Sequence, residues 1–101
     1  MRDRNELHEL LEQILGSSNV YYQPPASVKM DYPAIVYSKS DIQNSHADNK
    51  VYRQDISYEI IVIDKSPDSK AADTISCLSK CRFNRHYVAD NLHHDVFTLF
   101  L

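Results

Sequence analysis

Apolar residues recur along this chain with two different periods. Leu7, Leu10, Leu11, Ile14 and Leu15 fall at i, i+3, i+4, i+7 and i+8, the spacing that lines one face of an α-helix. Asp3 or Asn5 marks its start and Gly16 its C′ stop. From Val51 to Ile63 the period drops to two. Tyr52, Ile56, Tyr58, Ile60 and Val62 alternate with Arg53, Asp55, Ser57 and Glu59, which specifies a strand with one buried and one wet face. At Ile61 and Ile63 the outer face turns apolar too, so that end of the strand is expected to be covered on both sides.

Shorter signals fill in the rest. Asn19 to Gln23 reads as extended and is stopped by Pro24-Pro25. Pro33 opens a strand from Ala34 to about Asp41, and the polar stretch Ile42 to Lys50 reads as a loop. Asp64 to Asp68 turns around Pro67. Asp68 or Ser69 caps a second helix running through Lys80, with Ala71, Ala72, Ile75 and Leu78 facing inward. Cys81 to Val88 is a strand, Asp90-Asn91 a turn, and Val96 to Leu101 a final strand. So apolar a strand is expected to be buried, in its own sheet or against a neighbouring subunit. The order is α-β-β-β-α-β-β. It predicts one α+β domain over residues 1–101, a small antiparallel β-sheet with two helices.

The long strand carries a geometric consequence. At about 3.3 Å per residue Val51 to Ile63 would reach roughly 43 Å, whereas a domain of this size is roughly 34 Å across. The strand must bend at a bulge or project as a hairpin with the arm before it. A projecting hairpin needs a partner to be stable, so an oligomer is expected.

Composition narrows the function. The net charge of −3 argues against a dedicated nucleic-acid binder, which needs a basic footprint. No apolar run approaches the roughly 20 residues of a membrane span. The N-terminus lacks the apolar core of a signal peptide, so a cytoplasmic origin is expected. Gly16 is the single glycine, which excludes Gly-rich phosphate loops. It also hands positive-φ turns to Asn and Asp, with Asn19, Asn44, Asp48-Asn49 and Asp90-Asn91 as candidates.

Three groups of residues could carry chemistry. His86, His93 and His94 lie near Asp90 and Asp95 on one hairpin and have the donor types of a zinc site. Adjacent residues of a strand point to opposite faces, so His93 and His94 cannot both reach one metal, and no metal site is expected. Cys77 with His86 is a conceivable nucleophile and base. But Cys77 falls late in the second helix, where the dipole opposes a thiolate, and it reads with Cys81 as a buried filler on one helical face. Lys80, Arg82 and Arg85 beside Phe83, His86 and Tyr87 make a small basic-aromatic group, read as a subunit contact or solvated face. The chain has seven tyrosines, and tyrosine serves both sheets and interfaces. Tyr21, Tyr22, Tyr52, Arg85, His86 and Tyr87 are therefore the expected interface residues. Arg53, Asp55 and Glu59 are the expected channel or solvent face.

Several short motifs, taken in order, point to one family. They are Val20-Tyr21-Tyr22-Gln23-Pro24-Pro25, Tyr32-Pro33-Ala34-Ile35-Val36-Tyr37, Ala47-Asp48-Asn49-Lys50, Val62-Ile63-Asp64-Lys65-Ser66-Pro67-Asp68-Ser69 and the stretch Asn84 to Leu101. Over residues 19–101 the chain resembles tail-component proteins of long-tailed bacteriophages, head–tail joining proteins of the tail-terminator type. The resemblance implies a non-catalytic virion protein without cofactor. It also implies a ring, commonly of six subunits, that caps the tail tube, receives the head connector and lets DNA pass without specific binding. Two alternatives stand beside it: a head-side stopper of the same junction, and a small metal-binding protein using the His86/His93/His94 hairpin.

Overall fold

The computed structural model describes residues 4–24, 29–47 and 50–100, with the backbone alone for 41–47 and 50–55. The elements run α1 (Arg4–Leu15), β1 (Val20–Tyr22), β2 (Ala34–Ala47), β3 (Lys50–Asp64), α2 (Lys70–Ser76), β4 (Cys81–Ala89) and β5 (Leu92–Phe100). This is the expected α+β order. The five strands form one sheet, β1-β2-β3-β5-β4. Its ladders are antiparallel except β1–β2, which is parallel. The parallel pair departs from the antiparallel expectation. Strand direction depends on where the connection after Gln23 carries the chain, and periodicity does not encode that.

Both helices lie on one face of the sheet. Leu7 and Leu11 of α1 are fully buried, and with Ala71, Ala72 and Ile75 of α2 they pack onto Ile35, Tyr37, Tyr58, Ile60, Val62, Phe97 and Leu99. Gly16 closes α1 at φ 76°, its N–H donating to the Glu12 carbonyl at 2.9 Å, as the C′ reading requires. Ser69 caps α2, its Oγ accepting from Ala72 N–H at 3.2 Å. The second helix stops well short of Lys80. Leu78 N–H donates to the Ile75 carbonyl, and Lys80 takes φ 60°. The Lys80 carbonyl accepts from Phe100 N–H at 2.9 Å, so sheet pairing takes over where helical periodicity would continue. Cys77 is thereby the exposed C-cap of α2 and Cys81 the first residue of β4. They share no helical face, and Cys77 is not buried.

The stretch Ile42 to Lys50, expected as a loop, belongs to strands through Ala47 and from Lys50. Its polar composition misled because β2 here is held by backbone pairing with β3, and such pairing by itself demands no alternation of side chains. Of the expected positive-φ sites, Asp90 (53°) and Asn91 (62°) hold, Asn19 and Asn44 do not, and Asp48-Asn49 lies outside the described residues. Gln23 (44°) and Lys80 (60°) take that conformation instead.

Candidate functional site

The long hairpin is the first candidate. β5 reaches only as far as Ser57, opposite Phe100, so β3 from Lys50 to Ile56 pairs with β2 alone. At about 3.3 Å per residue this arm extends roughly 23 Å past the part of β3 that β5 pairs. The molecule measures 51 Å along its longest axis, against 29 and 23 Å across. β1 covers β2 only at Ile35–Tyr37. Beyond that point, among the described residues, the outer edges of both arm strands have no backbone partner. Register shifts at Lys39/Asp41 and Ser45/His46 bend the arm, so bulge and projection occur together. The side chains of Tyr52, Arg53 and Asp55 lie outside the described residues.

The helix-free face is the second. Register aligns Tyr21, Val36, Ile61, Val96 and Arg85 in one row and Ala34, Ile63, His94 and Tyr87 in the next. Ala34, Ile63 and Val96 are buried and Val36 and Ile61 half-buried, so the apolar end of β3 is covered on this side too at Ile63, as expected, and partly open at Ile61. Tyr87 stacks on His94 at 4.6 Å and 11°, with the Arg85 guanidinium 5.5 Å from the Tyr87 ring. Glu59 is half-buried in the row of Ser38, Thr98 and Arg82. Ser57, expected on the wet face, is buried, its Oγ 2.9 Å from Ser40 Oγ. A small side chain between two strands is shaded by its larger neighbours.

The expected interface tyrosines divide. Tyr21 is half-buried on the helix-free face, whereas Tyr22 packs on the core, 4.9 Å from the Tyr37 ring, with Arg4 4.4 Å above it. Tyr37 Oη sits 2.7 Å from His8 Nδ1. Burial pushes the Tyr37 phenol above its ordinary value, against the lowering influence of Arg4.

The histidines form the third group. Counting outward from the two-residue turn Asp90-Asn91 pairs Ala89 with Leu92, Val88 with His93, Tyr87 with His94 and His86 with Asp95. His86, His93 and Asp95 therefore share the helix-side face, while His94 takes the other. His86 Nδ1 donates to Asp95 Oδ1 at 2.6 Å, and His86 Nε2 lies 3.3 Å from His93 Nδ1. With both ring nitrogens of His86 so engaged, the conceived Cys77–His86 pair is not made. Burial raises the Cys81 thiol above its usual value. A bulge between Phe83 and Arg85 lets Phe83 rejoin the core face, edge-on to Phe97 at 5.5 Å. Beside this group a cleft of about 170 Å³ opens between α2 and β4–β5, bordered by Asp73, Ser76, Phe83 and Asp95. The symmetric count from Asp90-Asn91 would have exposed the His86–Asp95 pair in the sequence; the bulge and the cleft have no such signal.

Among the described residues no group of three His, Cys, Asp or Glu converges as a metal cage. No described helix is long and apolar enough to cross a membrane. Comparison of the chain with protein families, curated proteins and solved structures finds no match.

Proposed function

We propose that this chain is a structural subunit of the head–tail junction of a long-tailed bacteriophage, of the tail-terminator type. It works as a homo-oligomeric ring, a hexamer, in the virion. The ring caps the tail tube, receives the head connector protein and passes DNA without gripping it. The motifs along residues 19–101 motivate the family, and one structural observation carries the assembly: among the described residues, neither outer edge of the β2–β3 arm has a backbone partner. A two-stranded ribbon in water is marginal by itself, and open edges invite another chain's strand. In a ring each subunit's arm lies against its neighbour, satisfying those backbone groups. The balanced, acidic character of the chain, net −3, leaves no continuous basic track to hold DNA.

Electron microscopy of particles assembled without this protein tests the reading. Abnormally long tails are the expected outcome. Free tails of normal length beside leaking heads would assign the chain to the head side, and normal infectious particles would overturn the junction role.

A further inference from the structure

We propose that His86 and His93 chelate a single divalent transition ion of the zinc type, with Asp95 holding the first imidazole in place. This stands on the β4–β5 hairpin alone and does not depend on the assembly role. The Asp95 carboxylate accepts only a hydrogen, so His86 carries its proton on Nδ1 and keeps a lone pair on Nε2. That lone pair points toward His93 Nδ1 across 3.3 Å. Two nitrogens bound to a tetrahedral zinc at about 2.0–2.1 Å stand about 3.3–3.4 Å apart, so the gap already has the width of one edge of the coordination tetrahedron. The rings, 5.4 Å apart and 30° from coplanar, need only tilt for both lone pairs to meet at one point. The hydrogen on His93 Nδ1 passes through solvent to its own Nε2, so the neutral pair releases no net proton. A carboxylate behind a ligating imidazole is the usual outer-sphere arrangement, fixing tautomer and raising basicity.

The surroundings agree. His86 lies on the edge strand with 37% of its side chain accessible, and only 16% of the Asp95 side chain is accessible. The ion is thus reachable from solvent while its anchor is held. Among the described residues no group of three His, Cys, Asp or Glu is placed to hold an ion, so the protein offers two nitrogens, and water or a neighbouring molecule completes the sphere. His94, adjacent in sequence, is stacked on Tyr87 on the other face and takes no part.

The test is calorimetric titration of Zn²⁺ into the tag-free full-length chain, with NMR of the histidine rings. One ion per chain is expected, moving the ring signals of His86 and His93 and leaving those of His8 and His94 in place. His93→Gln should abolish binding, and Asp95→Asn should weaken it on the order of 10–100-fold. His94→Ala and Cys77→Ser should bind as the wild type does. Absence of stoichiometric binding would overturn the site, leaving an imidazole–imidazole hydrogen bond. So would binding that survives His93→Gln or is lost with His94→Ala or Cys77→Ser. The ring signals of the unaltered chain give the answer even where a variant fails to fold.

Discussion

Tyr37 is fully buried, yet its hydroxyl meets His8 Nδ1 at 2.7 Å. Its phenol is held above the ordinary value of 10.0, chiefly by burial. The folded chain therefore keeps this proton to higher pH than the unfolded chain does. That contribution is constant below about pH 10 and is lost as pH rises through the raised folded value. Tyr37→Phe should cost about 0.5–1.5 kcal/mol at neutral pH through the lost hydrogen bond. It should also flatten part of the alkaline loss, so the gap between the two chains narrows above that range. Urea unfolding across the alkaline range reads both effects. Asn91 makes a second residue-scale case. Its φ of 62°, after 53° at Asp90, forms a turn with both central residues left-handed, the twist a two-residue hairpin needs. Asn91→Val should destabilise by about 1–2 kcal/mol, whereas Asn91→Gly should be neutral or slightly stabilising, as thermal melts would show. This turn was legible because Asn and Asp are the residues, after glycine, that tolerate the conformation. Lys80 and Gln23, equally left-handed, were not legible: their conformation goes with backbone pairing to Phe100 and Tyr37, both distant in the chain.

At the scale of elements, α1 and the core strands followed their periods, whereas α2 ended early at Ser76 and the outer part of β2 formed a strand where a loop was expected. The residues of β2 from Ile42 to Ala47 read as a loop because backbone pairing by itself demands no alternation of side chains. Amide hydrogen exchange should mark them out. In the isolated chain the edge amides of β2 beyond Ser38 should exchange far faster than those of β3 between Tyr58 and Val62, which sit in the middle of the sheet. In the assembled ring the arm amides should become protected. Equal protection before and after assembly would mean the arm edges are not the contact. In the hairpin β4–β5 the turn sets the register near His86 and Asp95, and the one-residue bulge between Phe83 and Arg85 then changes that register, bringing Phe83 opposite Phe97.

For the whole molecule, the buried cluster under α1 and α2 reaches the arm, among the described side chains, only at Ile56. Replacing residues 42–54 by a short turn should therefore leave a folded monomer with a cooperative melt, because the buried cluster lies below the cut. The same change should abolish the ring. Light scattering on the purified chain distinguishes a hexamer from a monomer before and after the replacement, and a shortened chain that still forms hexamers would move the interface to the helix-free face.

Some of this protein was determined by its sequence alone. Alternation from Ile56 to Val62 and the leucine stripe of α1 dictate which side chains face inward, because water excludes them whatever the topology. The excess length of β3 over the body likewise comes from a fixed rise per residue, and it forced either a bend or a projection. Other features were decided only in three dimensions. The parallel β1–β2 pair, the early end of α2, the burial of Ser57 and the Tyr22 contact with the core depend on partners distant in the chain. The union of His86, His93 and Asp95 on one face, with His94 on the other, needs the turn to set register before alternation can sort them. Period and propensity act on near neighbours; direction, register and shading are properties of the assembled sheet.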